Sequence, residues 1–165
     1  MKGNKKLEQN KHIETLPLLP RSLLTGFIGG IFWSTIAILM YYFNFSEVSP
    51  RLFILRSWLK DEWTDGWLGD LVSIILVGLI SIIVALIYYS TLKKVNSMWA
   101  GVLFGIVLWC LIFLLFQPIF NNIPSFSELQ LNTIVSTLCL YILYGAFIGY
   151  SISYDYHDTQ VRETT

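Results

Sequence analysis

Hydrophobic positions along the chain do not alternate or recur singly; they form four long runs, 22–43, 71–92, 98–120 and 131–153, with no Asp, Glu, Lys, Arg or His inside any of them. Each run has 22 or 23 residues, and at about 1.5 Å per helical residue such a run crosses a hydrocarbon core of ~30 Å. The pattern predicts four transmembrane helices, hence an all-α membrane protein in one polytopic domain over 1–165. Between the first two runs lies the long polar interval 46–70, where Arg51, Arg56, Lys60, Asp61, Glu62, Asp65 and Asp70 alternate with Trp58, Trp63 and Trp67. The remaining polar stretches are the segment 1–20, a short turn at Lys93 and Lys94, a break at Asn121, Asn122 and Pro124, and the tail 154–165.

Local signals set the expected boundaries. Pro17 and Pro20 precede the first span, which is expected to start near Arg21 or Ser22, because proline is tolerated where a helix has no use for its amide. Asp70 is expected to cap the second span, since a carboxylate can accept the free amides of a first turn. Ser97 is the expected cap of the third span, and Ser125 with Glu128, or Ser127 with Gln130, forms a capping box for the fourth. Pro118 is expected to kink or fray the end of the third span. The turn at Lys93 and Lys94 is so short that the second and third spans must be antiparallel neighbours.

Small residues repeat at helical spacing within the spans. Gly26 with Gly30, Gly101 with Gly105, and Gly145 with Gly149 are GxxxG pairs, and Gly78 shares a side of the second span with Ala85. Such faces let helices approach closely, within one chain or between copies of it. Lysine and arginine placement orients the spans. With both termini inside, eight basic residues are cytoplasmic and three, Arg51, Arg56 and Lys60, are outside, as the positive-inside rule favours. All three glycine pairs then fall in the cytoplasmic half. Bulky residues such as Tyr41, Tyr42, Phe113 and Phe116 occupy the other half, so the first, third and fourth spans are expected to be pinched inside and splayed outside, with an outward groove. Cys110 and Cys139 fall at similar depth and are expected to be neighbours.

Projected on a helix, Leu52, Ile54, Leu55, Trp58, Leu59 and Trp63 share one side, which predicts an amphipathic helix lying along the outer interface within 46–70. Arg51, Arg56, Trp58, Lys60, Asp61, Trp63, Asp65 and Trp67 are the candidate outer recognition surface, for anionic headgroups or a partner protein.

Composition sharpens the picture. Apolar residues make up 55 % of the chain and charged residues 13 %, against ~25 % charge in soluble domains. The formal net charge is zero, so no basic field points to nucleic acid. The first run is too long for a signal peptide and lacks a small-x-small cleavage site, so it reads as a retained anchor. No HExxH, GxSxG, Walker-type loop, CxxC or paired histidines occur, and no catalytic, cofactor or metal residue is assigned. The absence of ionisable groups within the spans argues against proton- or ion-coupled transport.

The run Leu18-Leu19-Pro20-Arg21-Ser22-Leu23-Leu24-Thr25-Gly26-Phe27-Ile28-Gly29-Gly30, the tryptophan-rich interval ending Asp65-Gly66-Trp67, and the four-span layout together resemble the YqhR family of small integral membrane proteins of spore-forming bacilli. The resemblance implies a bacterial plasma membrane and carries over no functional residue. The expected function is an accessory or scaffold component, not an enzyme, that binds lipid, a membrane-protein partner or a second copy. The alternative is a small transporter or channel subunit not coupled to protons.

Overall fold

The structure, a computed structural model, describes residues 17–55, 62–95, 97–116 and 128–163. Its described elements are helical: α1 (Leu18–Tyr42), the short α2 (Pro50–Ile54), a 3-10 turn (Glu62–Asp65), α3 (Trp67–Leu92), α4 (Met98–Cys110) continuing as a π-helical segment (Leu111–Phe116), and α5 (Leu131–Glu163). Four of these helices, counting α4 with its continuation, are long and apolar enough to cross a membrane. The bundle has a tail end, where α1 begins and α5 finishes, and a loop end, where α1 finishes and α3 and α5 begin.

Several boundaries differ from those expected. Helix α1 starts at Leu18 behind Pro17, a turn early, because Pro20 then occupies a first-turn position whose amide would be unpaired anyway. Helix α3 starts at Trp67 behind Gly66, so Asp70 is not its cap but a buried residue of its first turn. Ser97 does precede α4, although its side chain makes no capping bond. Helix α5 does not end near Ser153. It runs on to Glu163, since the polar stretch contains no Gly or Pro and its side chains bond back along the helix, Thr159 Oγ1 donating to the Asp155 carbonyl at 2.8 Å. Arg21 of α1 pairs with Asp155 at 3.6 Å, joining the two helices at the tail end. Pro118, Ser125 and Ser127 lie outside the described residues. The irregularity that is seen in the third span is the π segment before them.

The small-residue faces join helices in pairs. A Cβ built on Gly26 would lie 2.6 Å from the Ala85 Cβ, and one on Gly30 would lie 2.8 Å from the Gly78 Cα, so α1 packs backbone to backbone on α3. A Cβ on Gly105 would lie 2.2 Å from the Tyr141 carbonyl oxygen, and one on Gly149 would lie 2.6 Å from the Gly101 Cα, which places α4 on α5 in the same manner. Helix α5 also packs on α1, and α1 has little contact with α4. The expected three-way pinch of the first, third and fourth spans is thus corrected to two pairs, α1 with α3 and α4 with α5, held together through α5. Gly29 meets Phe147 and Ile148 of α5 across that junction.

Hydrogen bonds reinforce the junction, where lipid offers polar groups no alternative partner. Ser81 Oγ of α3 donates to the Gly26 carbonyl of α1 at 2.6 Å. With its proton committed there, Ser81 accepts from the Tyr144 hydroxyl of α5. One serine therefore ties three helices. Around it Ala85, Tyr88, Tyr144, Ile148 and Ile152 form the core of the tail half.

The loop half is built differently. A second core of Val48, Trp109, Phe113 and Leu129 fills it, so side chains from the polar interval enter the bundle rather than lie on it. Ser46, Val48, Ser49 and Leu55 are all buried. Trp109 stacks on Phe113, and Phe53 meets the same Phe113 ring edge-on. Cys110 is half-buried beside this core, Cys139 is exposed, and both are free thiols.

Candidate functional site

The loop end gathers the chain's polar chemistry, and the way α1 stops explains why. The Asn44 amide donates to the Tyr41 carbonyl at 3.1 Å and the Phe45 amide to the Met40 carbonyl at 2.9 Å, while Asn44 itself has φ 60°. This is a Schellman closure with asparagine at its left-handed position, which asparagine tolerates better than most residues. It turns the chain sharply inward. Ser46 Oγ then donates to the Val48 carbonyl at 2.9 Å, and the Glu47 amide donates to Thr133 Oγ1 of α5 at 3.0 Å. Thr137, one turn further along α5, donates to the Thr133 carbonyl at 2.7 Å and accepts from the Trp109 indole at 3.0 Å. The inserted segment, α5 and α4 are thereby linked by one polar chain beside an aromatic core.

After this insertion the chain starts α2, where Ser49 accepts from the Arg51 amide and Pro50 takes the first position. Arg51 is then directed inward. Its Nη1 lies 3.5 Å from Asp70 Oδ1 and donates to the Asp65 carbonyl at 3.0 Å. Its guanidinium carbon stands 5.2 Å from the centre of the Tyr41 ring, and the Tyr42 hydroxyl of α1 donates to Asp70 Oδ2 at 2.7 Å. Burial would lower the pKa of Arg51, but the hydrogen bond to Tyr41 and the charge of Asp70 outweigh it and hold the guanidinium above its ordinary range. With side-chain exposures of 13 % for Arg51 and 11 % for Asp70, the pair is a clasp that closes α1, α2 and α3 on one another. Gly69 admits it, because a Cβ there would lie 2.1 Å from the Thr64 carbonyl oxygen.

The candidate recognition residues therefore separate. Arg51 belongs to the internal clasp. Asp65 and Trp67 are exposed at the start of α3, Trp67 at 71 %. Arg56, Trp58, Lys60, Asp61 and the side chain of Trp63 lie outside the described residues, and with them most of the expected amphipathic helix. Beside the clasp, between the end of α1 and the start of α5, is an open hollow of about 550 Å³ lined by Tyr41, Tyr42, Asn44, Ser46, Glu47 and Gln130. Of these, Asn44 and Glu47 were not among the residues marked by sequence, and Gln130 was marked only as a capping residue of the fourth span. Asn44 carried a readable signal as an Asn just past the end of an apolar run. Glu47 carried none, since its neighbour across the hollow is 83 positions away.

No group of three or more His, Cys, Asp or Glu side chains is arranged to hold a metal among the described residues. Comparison with known proteins matches residues 2–165 to a family model described as "Conserved membrane protein YqhR". A Bacillus subtilis (strain 168) protein described as "Uncharacterized protein YqhR" is 44 % identical over 163 residues, covering 96 % of this chain and 91 % of that one. No solved structure matches the chain.

Proposed function

Taking as premise that the chain belongs to the YqhR family of conserved membrane proteins, we propose that it is a non-catalytic accessory or scaffold component of the plasma membrane. Its termini are cytoplasmic, and its loop end engages lipid or a membrane-protein partner on the outer side. The observation that carries this reading is the insertion of Ser46–Leu55 into the loop half of the bundle, where Val48 and Leu55 are buried. A bundle filled by its own loop offers a solute no route, and the tail half beneath it is joined by glycine contacts and the Ser81 node. What it does present is an aromatic and polar face next to the membrane surface, with Phe43, Phe45 and Trp67 exposed. Tryptophan and other aromatics with one apolar and one wet side suit that depth.

The experiment is site-specific photocrosslinking in intact cells from Trp67 and from Asp65, with the membrane-facing Leu103 of α4 as comparison. The expected outcome is a discrete protein adduct from the loop-end positions that Leu103 does not give. Absence of any loop-end adduct, together with solute flux through liposomes containing the purified protein, would replace this reading by that of a transporter or channel subunit.

A further inference from the structure

We propose that the hollow between the end of α1 and the start of α5 binds an alkylammonium group, with Glu47 as counter-charge and the Tyr41 and Tyr42 rings as wall. This deepens the reading above, since it rests on the loop end being an interaction surface. The charge decides the class of ligand first. Among the described residues Glu47 is the one charged residue that lines the hollow, and no cation among them pairs with it. One carboxylate oxygen accepts from the Gln130 amide at 3.4 Å, a long bond that leaves acceptor capacity on the carboxylate. The nearby Arg51 turns its Nη1 to Asp70 and to the Asp65 carbonyl and is not among the residues that line the hollow, so an anion would meet no counter-charge from the described lining.

The remaining lining selects among cations. A hard metal ion requires several oxygen ligands at once, which one carboxylate does not supply. A single carboxylate among neutral polar groups and tyrosines instead suits an ammonium on carbon, which needs one counter-charge and a few acceptors for its N–H groups rather than a full coordination shell. The volume of about 550 Å³ exceeds that of an ammonium, and Asn44, Ser46 and Gln130 line it beside Glu47 with neutral polar groups. The carboxylate is also held in place beforehand. Asn44 closes α1, Ser46 and Val48 are buried, and the Glu47 amide is fixed to Thr133, so little ordering is left for a ligand to impose.

Depth selects the source of the ammonium. Helix α1 has 25 residues, about 37 Å of helix against a hydrocarbon core of ~30 Å, so its last turn stands at headgroup level. Leu39 below the hollow on α1, and Leu131 and Val135 on α5, are exposed apolar side chains along which acyl chains can lie. An aminophospholipid meets both conditions. A free amine meets only the first.

The test uses the full chain in mild detergent and native mass spectrometry. Phosphatidylethanolamine is expected to be retained over phosphatidylglycerol and over N-acetylated phosphatidylethanolamine of the same acyl chains, on the order of tenfold for an ammonium with ring and carboxylate contacts. Glu47→Gln keeps an acceptor for Gln130 but removes the charge, and is expected to abolish the preference. Displacement of the lipid by millimolar ethanolamine identifies a free amine as sufficient, and failure of displacement identifies the lipid; both support the site. Equal retention of the three lipids by the wild-type protein overturns the proposal, whether or not the variant folds. An unchanged preference in Glu47→Gln also overturns it. Loss of the lipid preference with the Trp67 crosslink intact would leave the interaction reading standing, and loss of the crosslink alone would remove that reading and not the site.

Discussion

Arg51 and Asp70 are a partly desolvated ion pair whose other contacts are what make it tolerable. Removing one member of such a pair leaves the other buried and unpaired, which costs more than the pair contributes. Asp70→Ala also removes the acceptor of the Tyr42 hydroxyl. It is expected to lower stability by about 2–4 kcal/mol, and Asp70→Asn, which keeps an acceptor for Tyr42, by about half as much. Thermal unfolding in detergent checks both, and wild-type midpoints for the two variants would remove the clasp. Gly105 is decided by distance alone. A methyl group 2.2 Å from the Tyr141 carbonyl oxygen must move backbone, so Gly105→Ala is expected to destabilise the α4–α5 contact far more than its helix propensity could recover. A fluorescence-pair distance between α4 and α5 should lengthen.

At the level of elements, the end of α1 governs the loop half. Because Asn44 is left-handed, Asn44→Gly is expected to be nearly neutral, whereas Asn44→Val should cost about 1–2 kcal/mol and loosen the inserted segment. Insertion itself is read by accessibility. In a chain carrying Cys110→Ser and Cys139→Ser, a cysteine replacing Glu47 should react with maleimide rapidly and one replacing Val48 slowly, since Glu47 is exposed and Val48 is 5 % exposed. Equal rates would mean that the segment lies on the bundle instead. Helix α5 has 33 residues, about 50 Å, and therefore extends well past a ~30 Å core at the tail end. The apolar run ended near Ser153 and the helix did not, because leaving the membrane removes the need for apolar side chains and not the backbone's preference for helix.

The molecule as a whole is two close helix pairs joined along α5, tight at the tail end and filled at the loop end by its own chain. Its orientation in the membrane is a matter of charge rather than packing. With cysteine placed singly at Trp67 and at Thr159 in the same cysteine-free background, an impermeant maleimide applied to intact cells is expected to label the first and spare the second. The reverse result would invert the proposed topology. Four spans, their order and the small-residue faces were legible because each is a property of one segment: a run of 22 residues without charge, or glycines four apart.

What those faces touch was not legible. Gly26 and Gly30 read the same whether they meet α3, as they do, or α4, because the partner is chosen by the shape of both helices together. Arg51 read as a surface cation and Asp70 as a helix cap for a similar reason. Their pairing depends on Asn44 turning the chain inward and on Gly69 lacking a side chain, 25 residues apart. By itself the sequence determined that this chain crosses a membrane as helices, since the cost of an unpaired backbone in lipid leaves such runs no other form. Only the tertiary structure decided which helices pair, and that the charged interval begins by entering the bundle. In lipid the selection falls to close packing and hydrogen bonds between segments, and no single segment carries that information.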